Sequence, residues 1–218
     1  MRRAVFLRCM VAAIVSAGTV GSGWAASRND ALFRAIASND AAAVRRLLAA
    51  GVDPNSRDER GDAALYVALR EEVLAAAQAL LQSTRVDVNQ LNGSDESPLM
   101  MAAFRNHLEL ARQLVARGAA VNKDGWTPLH YAATRSHVEM MRYLILQGAN
   151  INALSPNGTT PLMMAAGYGT PQAVRLLLQY HADPQAKNQR GLAALDFARN
   201  AGHEEAAALL EAQVDLGW

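Results

Sequence analysis

The chain has 218 residues, with 21 Lys and Arg against 20 Asp and Glu, and a single Cys. This near balance of charge supplies no basic stripe of the kind that nucleic-acid binding requires, so we expect no nucleic-acid partner. One Cys cannot form a disulfide within the chain, and the length suits one soluble domain.

The N-terminal segment 1–25 differs in character from the rest of the chain. Three Arg precede an apolar run of small residues, and Gly23-Trp24-Ala25 offers a small-residue cleavage site before Ala26. This order predicts a secretory signal peptide over residues 1–25, whose removal leaves residues 26–218 in the periplasm without stable membrane insertion. An uncleaved anchor is the alternative, although Ser, Gly and Thr dilute the short apolar run. Cleavage would take away three Arg, the only Cys and no acid, which leaves a net charge of −2.

Residues 125–152 have the pattern of two short helices and a stop. Thr127-Pro128 suits a helix start, because Thr can cap an unpaired N–H group and Pro loses nothing at the first helical position. His130 follows at the third helical position, where its side chain can reach back to the cap. Apolar residues with helical spacing then run from Met140 to Ile145, and Gly148 stands where a helix-ending residue is wanted. This hairpin could not bury its apolar side alone.

The same pattern recurs in phase along the chain. The residues that match Leu129 are Leu32, Leu65, Leu99, Leu162 and Leu195. The helix start recurs as Ser97-Pro98-Leu99 and Thr160-Pro161-Leu162, and the stop as Gly51-Val52-Asp53-Pro54-Asn55 and Gly148-Ala149-Asn150-Ile151-Asn152. A repeat of this length, together with a Thr-Pro-Leu-His cap, resembles the ankyrin-repeat family.

The resemblance is to exported bacterial ankyrin-repeat proteins, and it implies the fold. We expect an all-α solenoid of helix-turn-helix units joined by β-hairpin-like loops. The predicted repeats are about residues 28–60, 61–92, 93–122, 123–154, 155–187 and 188–214. Each repeat would be stable only because it stacks on its neighbours.

Three positions depart from the repeat pattern. Ala63-Ala64 replaces the Thr-Pro start in the second repeat, so we expect this repeat to be the softest internal one and a restored Thr-Pro to stabilise it. His181 replaces a helix-ending Gly. His tolerates the positive φ of such a position better than most residues do. The connection at 122–125 is three residues shorter than its counterparts, which should leave a notch in the row of loops.

The sequence offers no catalytic or metal-binding pattern. His107, His137 and His203 recur at matching positions, which favours a structural role in bonding the adjacent turn over metal ligation. Adjacent acids such as Glu71-Glu72 diverge on a helix and do not form a carboxylate pair. Six Met fall on repeat-equivalent core positions: Met100, Met101, Met140, Met141, Met163 and Met164. We therefore expect no enzyme, no cofactor and no metal.

One set of residues is not explained by the stack. In the ankyrin family, the positions after the loop Gly and at the end of the first helix line a concave groove. Aromatic residues and Arg, which are enriched in binding hot spots, stand at several of them. The predicted protein-binding residues are Asp62, Arg70, Phe104, Arg105, Trp126, Arg135 and Tyr168. Trp126 is expected to project from the short loop onto the wall of the notch; burial of each aromatic against its own loop is the alternative.

The resemblance and these residues together predict a function. We expect an exported, monomeric, non-catalytic module that holds another protein in its concave groove, as a scaffold or accessory protein. The alternative is an immunity-type inhibitor that blocks a toxic enzyme in the periplasm. The sequence does not identify the partner.

Overall fold

The computed structural model describes residues 28–215, which form twelve helices and no β-strand. The predicted signal peptide lies outside the described residues. In chain order the helices are α1 (Arg28–Ala37), α2 (Ala41–Ala49), α3 (Ala64–Arg70), α4 (Leu74–Leu81), α5 (Pro98–Phe104), α6 (Leu108–Ala116), α7 (Pro128–Thr134), α8 (Val138–Leu146), α9 (Pro161–Tyr168), α10 (Pro171–Gln179), α11 (Ala194–Ala201) and α12 (Glu204–Asp215). They form six pairs, one in each predicted repeat range.

Each helix packs on its pair partner and on the neighbouring repeats. The first helices of the pairs contact one another in sequence from α1 to α11, and the second helices lie to one side of this row. The core is the seam between the two rows, where the repeated Leu residues from Leu32 to Leu162 are at most 1% exposed. The six Met at matching positions are also buried, as predicted. This all-α repeat architecture confirms the predicted fold class.

The starts of α5 and α9 are stabilised by hydrogen bonds between the cap residue and the third residue of the helix. The Met100 sulfur accepts a hydrogen bond from the Ser97 N–H at 3.2 Å, and the Ser97 hydroxyl accepts one from the Met100 N–H at 3.2 Å. Thr160 and Met163 repeat this exchange in α9. These bonds satisfy N–H groups that a helix leaves unpaired at its start. Ala63, before α3, provides no such side-chain bond, as its sequence predicts.

The loops between repeats are tight turns and carry no strand ladder within the described residues. In four of them a backbone N–H reaches the carbonyl four residues on: Asp58 to Asp62 at 2.9 Å, Asn92 to Glu96 at 3.0 Å, Ser155 to Thr159 at 3.0 Å and Asn188 to Leu192 at 3.0 Å. His181 adopts a φ of 63°, the left-handed conformation expected of the residue that replaces the helix-ending Gly.

The structure overturns part of the expectation for the second repeat. The Ala64 N–H donates a hydrogen bond to the Ser56 carbonyl at 3.0 Å, and both residues are buried. Proline at this position would remove the donor and leave the Ser56 carbonyl without it. The expectation that a Thr-Pro pair stabilises this repeat is therefore wrong. The Pro would break a hydrogen bond between the loop and α3 that the sequence pattern does not reveal.

We expect Ala64→Pro to lower the free energy of unfolding by about 1 kcal/mol or more, because an unpaired buried carbonyl costs about 1–3 kcal/mol and the restricted proline regains less than about 1 kcal/mol. Ala194→Pro is the matched control. Ala194 also opens its helix, α11, after an Ala, and its N–H donates to no backbone carbonyl within residues 28–215. Urea unfolding of both variants tests this, and equal midpoints would contradict it.

His130 is fully buried at the start of α7, where it joins two repeats. Its Nδ1 accepts a bond from the Thr127 N–H at 3.2 Å, so Nε2 carries the proton and donates to the Thr159 carbonyl at 2.9 Å. Burial lowers the pKa of His130 from 6.5 to about 4, against the opposing effect of its backbone bonds. The ring is therefore neutral in the folded protein well below neutral pH.

This burial predicts an acid-sensitive stability. The folded-state pKa lies below the unfolded one, so the unfolded chain takes up the extra proton as the pH falls. The stability that neutral His130 contributes is fully present above its ordinary pKa of 6.5 and is lost as the pH falls through 6.5 towards about 4. The loss is on the order of 3 kcal/mol.

The variant that isolates this effect is His130→Met. Met stands at the same helical position in α5 and α9, where its sulfur accepts the bond from the cap N–H. We expect His130→Met to reduce the difference in unfolding free energy between pH 7.5 and pH 4.5, as measured by urea denaturation at both values. An unchanged difference would show that His130 is not the titrating group.

Candidate protein-binding surface

We call the surface formed by the ends of the first helices the inner face. Its residues in successive repeats are Arg70, Glu71, Phe104, Arg105, Arg135 and Tyr168. Five of the seven predicted binding residues lie in this row, and Asp62 and Trp126 lie in the loops that precede α3 and α7.

The centre of the inner face is a cluster around Phe104. The guanidinium carbon of Arg135 lies 4.9 Å from the centre of the Phe104 ring, and that of Arg105 lies 5.9 Å from it. The Tyr131 ring meets Phe104 edge to face, with 6.1 Å between ring centres. A cation over an aromatic face is attracted by its negative potential. The structure thus brings together three of the predicted residues from two adjacent repeats.

Asp62 and Arg70 pair with each other. The Asp62 carboxylate contacts the Arg70 guanidinium, and Arg70 Nε also lies 2.9 Å from the Glu71 carboxylate. Asp62 is 6% exposed, so its carboxylate offers little surface to a partner. The role of this pair is to fix Arg70 at the end of α3.

Glu72 holds Arg105 across the boundary between the second and third repeats. Its carboxylate oxygen lies 2.8 Å from Arg105 Nη1. Glu72 has a φ of 58°, at the turn position that Asn106 and Ser136 occupy with similar angles. Asn tolerates this conformation more readily than Glu, which has a longer side chain and no local bond to offset the strain. The strained residue places its carboxylate on Arg105.

Two of the three repeated histidines have the predicted structural role. His137 Nε2 lies 3.0 Å from the Phe104 carbonyl, and His203 Nδ1 lies 2.9 Å from the Ala166 carbonyl. His107 differs, since its buried Nε2 has no hydrogen-bond partner within residues 28–215 and lies 3.9 Å from the Glu72 carboxylate. Burial lowers the pKa of His107 although Glu72 opposes this.

Trp126 does not project from the stack, and this expectation was wrong. The indole is half-buried and packs against the hydrophobic core. It meets the His130 ring edge to face, with 5.2 Å between ring centres. The loop that carries it is three residues short, so the chain turns directly into α7 and lays the indole on the buried His130. Burial against its own repeat, the alternative reading, describes Trp126 correctly.

The short loop does leave a notch. A depression of about 360 Å³ lies beside it, lined by Asn122, Lys123, Asp124, Gly125, Thr127, Asn150, Ala153 and Leu154. Trp126 is not part of the wall, contrary to expectation. Lys123 reaches across to the Asp95 carboxylate of the preceding loop and also lies 2.8 Å from the Asp124 carbonyl. The notch is therefore polar on one side, with the exposed Leu154 on the other.

A carboxylate that sequence reasoning missed links three repeats beneath the inner face. Both Tyr66 and Tyr131 donate hydroxyl hydrogen bonds of 2.5 Å to the Glu96 carboxylate, and the Asn92 amide donates a third at 3.0 Å. Burial, followed by the bond to Glu96, raises the pKa of the Tyr66 hydroxyl above its usual range. The available signal was the position of Tyr66, which matches the buried Met100 and therefore requires a partner for its hydroxyl.

Within residues 28–215, no helix is both long and apolar enough to span a membrane. In the same range, no three His, Cys, Asp or Glu side chains converge as a metal site. A family model for ankyrin repeats matches residues 32–122, 76–155 and 144–217. The chain belongs to the ankyrin-repeat family. Members of this family are in general non-catalytic modules that bind other proteins.

Two solved structures are similar to this ankyrin-repeat protein over most of their length. An ankyrin-repeat domain from Acinetobacter baumannii is 33% identical, with a TM-score of 0.71 over 83% of this chain and 96% of that one. A chain of the complex between a predatory endopeptidase from Bdellovibrio bacteriovorus and an immunity protein is 29% identical, with a TM-score of 0.72 over the same shares.

The curated relatives resemble this protein over a shorter stretch. Alpha-latrocrustotoxin-Lt1a from Latrodectus tredecimguttatus is 31% identical over 91 residues, which is 42% of this chain and 6% of the toxin. The chain spans less than a tenth of the length of the first curated relatives that it matches. These matches reflect shared repeats and do not transfer the function of the whole relative.

The packing of Trp126 changes what its truncation should do. We expect Trp126→Ala to lower the free energy of unfolding by about 1–2 kcal/mol, because a half-buried aromatic loses part of the roughly 3–5 kcal/mol typical of full burial. Tyr168→Ala, a matched truncation of a 54% exposed aromatic, should change it by less than about 0.5 kcal/mol. Urea unfolding of the two variants checks this, and equal losses would mean that Tyr168 also supports the stack.

Proposed function

We propose that this ankyrin-repeat protein is an exported, non-catalytic module that binds one partner protein on its inner face, as a scaffold or accessory protein. The observation that carries the proposal is the exposure of Arg135 and Tyr168 at the centre of that face. Tyr168 is 54% exposed and Arg135 is exposed above Phe104. Arg and aromatic side chains in such a position are typical of binding hot spots.

Export to the periplasm is part of the proposal and rests on the N-terminal segment 1–25. Its basic, apolar and small-residue order is that of a secretory signal. N-terminal sequencing of the protein recovered from cells should give Ala26 as the first residue. A soluble cytosolic product that retains Met1 would contradict export while leaving the binding function open.

Inhibition of an enzyme is the second candidate. It is favoured by the similarity to a chain of the complex between an endopeptidase and an immunity protein, which extends over 96% of that chain. Inner-face side chains held by contacts, such as Arg105 by Glu72 and Arg135 over Phe104, also suit a plug, because a preorganised surface loses little entropy on binding. The two candidates share the binding surface and differ in what binding does to the partner.

One capture experiment tests the binding function. The purified protein, immobilised, is exposed to a periplasmic extract of its source organism beside the double variant Arg135→Ala/Tyr168→Ala. We expect the wild type to retain a protein that the double variant binds at least about tenfold more weakly. Leu146→Ala, which removes a 66% exposed apolar side chain from α8, is the control and should retain the same protein.

Equal retention by all three proteins would refute binding on the inner face. When the retained protein is an enzyme, its activity is measured with and without the ankyrin-repeat protein. A loss of activity that the double variant does not cause supports the immunity-type inhibitor, and unchanged activity supports the scaffold.

A further inference from the structure

At the boundary between the second and third repeats, the inner face holds an ion pair whose counterpart one repeat further on lacks its carboxylate. In the second, third and fourth repeats the turn after the first helix contains a residue with positive φ, which is Glu72, Asn106 and Ser136 respectively. The turn residue of the second repeat lies next to the residue that directly follows the first helix of the third repeat. Glu72 shows this arrangement directly, because its carboxylate lies 2.8 Å from Arg105 Nη1.

Arg135 occupies in the fourth repeat the position that Arg105 occupies in the third. Its counterpart of Glu72 is Asn106, which carries an amide and no charge. Within residues 28–215, none of the ion pairs includes Arg135. Its guanidinium instead lies over the Phe104 ring at 4.9 Å and is exposed. Arg135 is thus placed like Arg105 but lacks the carboxylate.

The acids near this part of the inner face are already engaged. Glu71 pairs with Arg70, Glu72 pairs with Arg105, and Glu96 accepts bonds from two tyrosine hydroxyls. The helices α7 and α9 and the turns that follow them contain no Asp or Glu. The inner face between the fourth and fifth repeats therefore presents a positive charge that no ion pair within residues 28–215 engages.

We propose that the partner presents an acidic side chain to Arg135, with an apolar or aromatic neighbour against Phe104, so that the partner's carboxylate completes the pairing that Glu72 completes for Arg105. This inference rests on the proposed binding function and names the chemistry of the partner segment. A guanidinium stacked on an aromatic ring keeps its N–H edge free for two parallel bonds to a carboxylate. The ring fixes Arg135 beforehand, which reduces the entropy lost on binding.

The structure supplies a variant that closes this site from within. Asn106→Glu should place a carboxylate beside Arg135 as Glu72 does beside Arg105, and Glu72 shows that this turn position accepts Glu at a φ of 58°. Asn106→Gln is the matched control, because Gln has the same side-chain length as Glu and no charge. Arg135→Gln removes the cation and tests the same site if Asn106→Glu does not fold.

The probe is a random library of twelve-residue peptides displayed on phage and selected on the immobilised full chain. We expect the retained peptides to be enriched in Asp and Glu beside an apolar or aromatic residue. The best of them, labelled with fluorescein, should bind about tenfold or more weakly to Asn106→Glu and to Arg135→Gln. Its affinity for Asn106→Gln should stay within about twofold of the wild type, and its binding to the wild type should weaken as salt rises from about 50 to about 300 mM.

Each contrary result has a distinct meaning. Peptides without acidic enrichment that still need Tyr168 would overturn the carboxylate proposal and leave the binding function intact. Acidic peptides that bind Asn106→Glu and Arg135→Gln as well as the wild type would overturn the assignment to Arg135. A library that yields no peptide on the folded wild type would count against binding on the inner face itself.

Discussion

Each of the first four repeats is held to the next by an asparagine side chain that bonds the backbone of the following repeat, and in the first three of them it bonds two backbone groups at once. The Asn89 amide nitrogen donates to the Gly118 carbonyl at 2.9 Å, and its oxygen accepts from the Ala120 N–H at 2.7 Å. Asn55 and Asn122 make the same pair of bonds one repeat before and one repeat after. The helices have seven to twelve residues, too few to be stable alone in water. Stability therefore arises between repeats, and these bonds fix their register.

This register separates most of the residues that hold the stack from those of the inner face, where we propose that a partner binds. Leu, Ala and Met fill the seam between the two rows of helices, whereas the positions at or directly after the ends of the first helices are set in line without a required residue type. That freedom allows Arg105, Arg135 and Tyr168 to follow one another along the inner face. The separation fails at Trp126, which was expected to face a partner but whose ring lies on His130 and contributes to the stack.

The repeat phase, the helix starts and the inner-face positions could all be predicted, because each is a local pattern that recurs once in every repeat. The missed features are contacts between residues about one repeat apart or within a loop of unusual length. Neither the Glu96 bonds to the two tyrosines nor the Ala64 bond to Ser56 has a repeating signature. The direction of Trp126 depended on how a shortened loop closes, which spacing does not determine.

At the junction between the third and fourth repeats, the contacts lie mainly between the first helices. The second helices of these two repeats, α6 and α8, contact each other less than the second helices of other adjacent repeats do. The loop between the two repeats is also short. The inner helices α5 and α7 pack closely, and His137 bonds the Phe104 carbonyl across them. The Glu96 carboxylate adds a bond to Tyr131, whose ring supports Phe104. The junction is thus held mainly from its inner side, so the side chains under Arg135 have fixed positions, which is the condition for a preorganised binding surface.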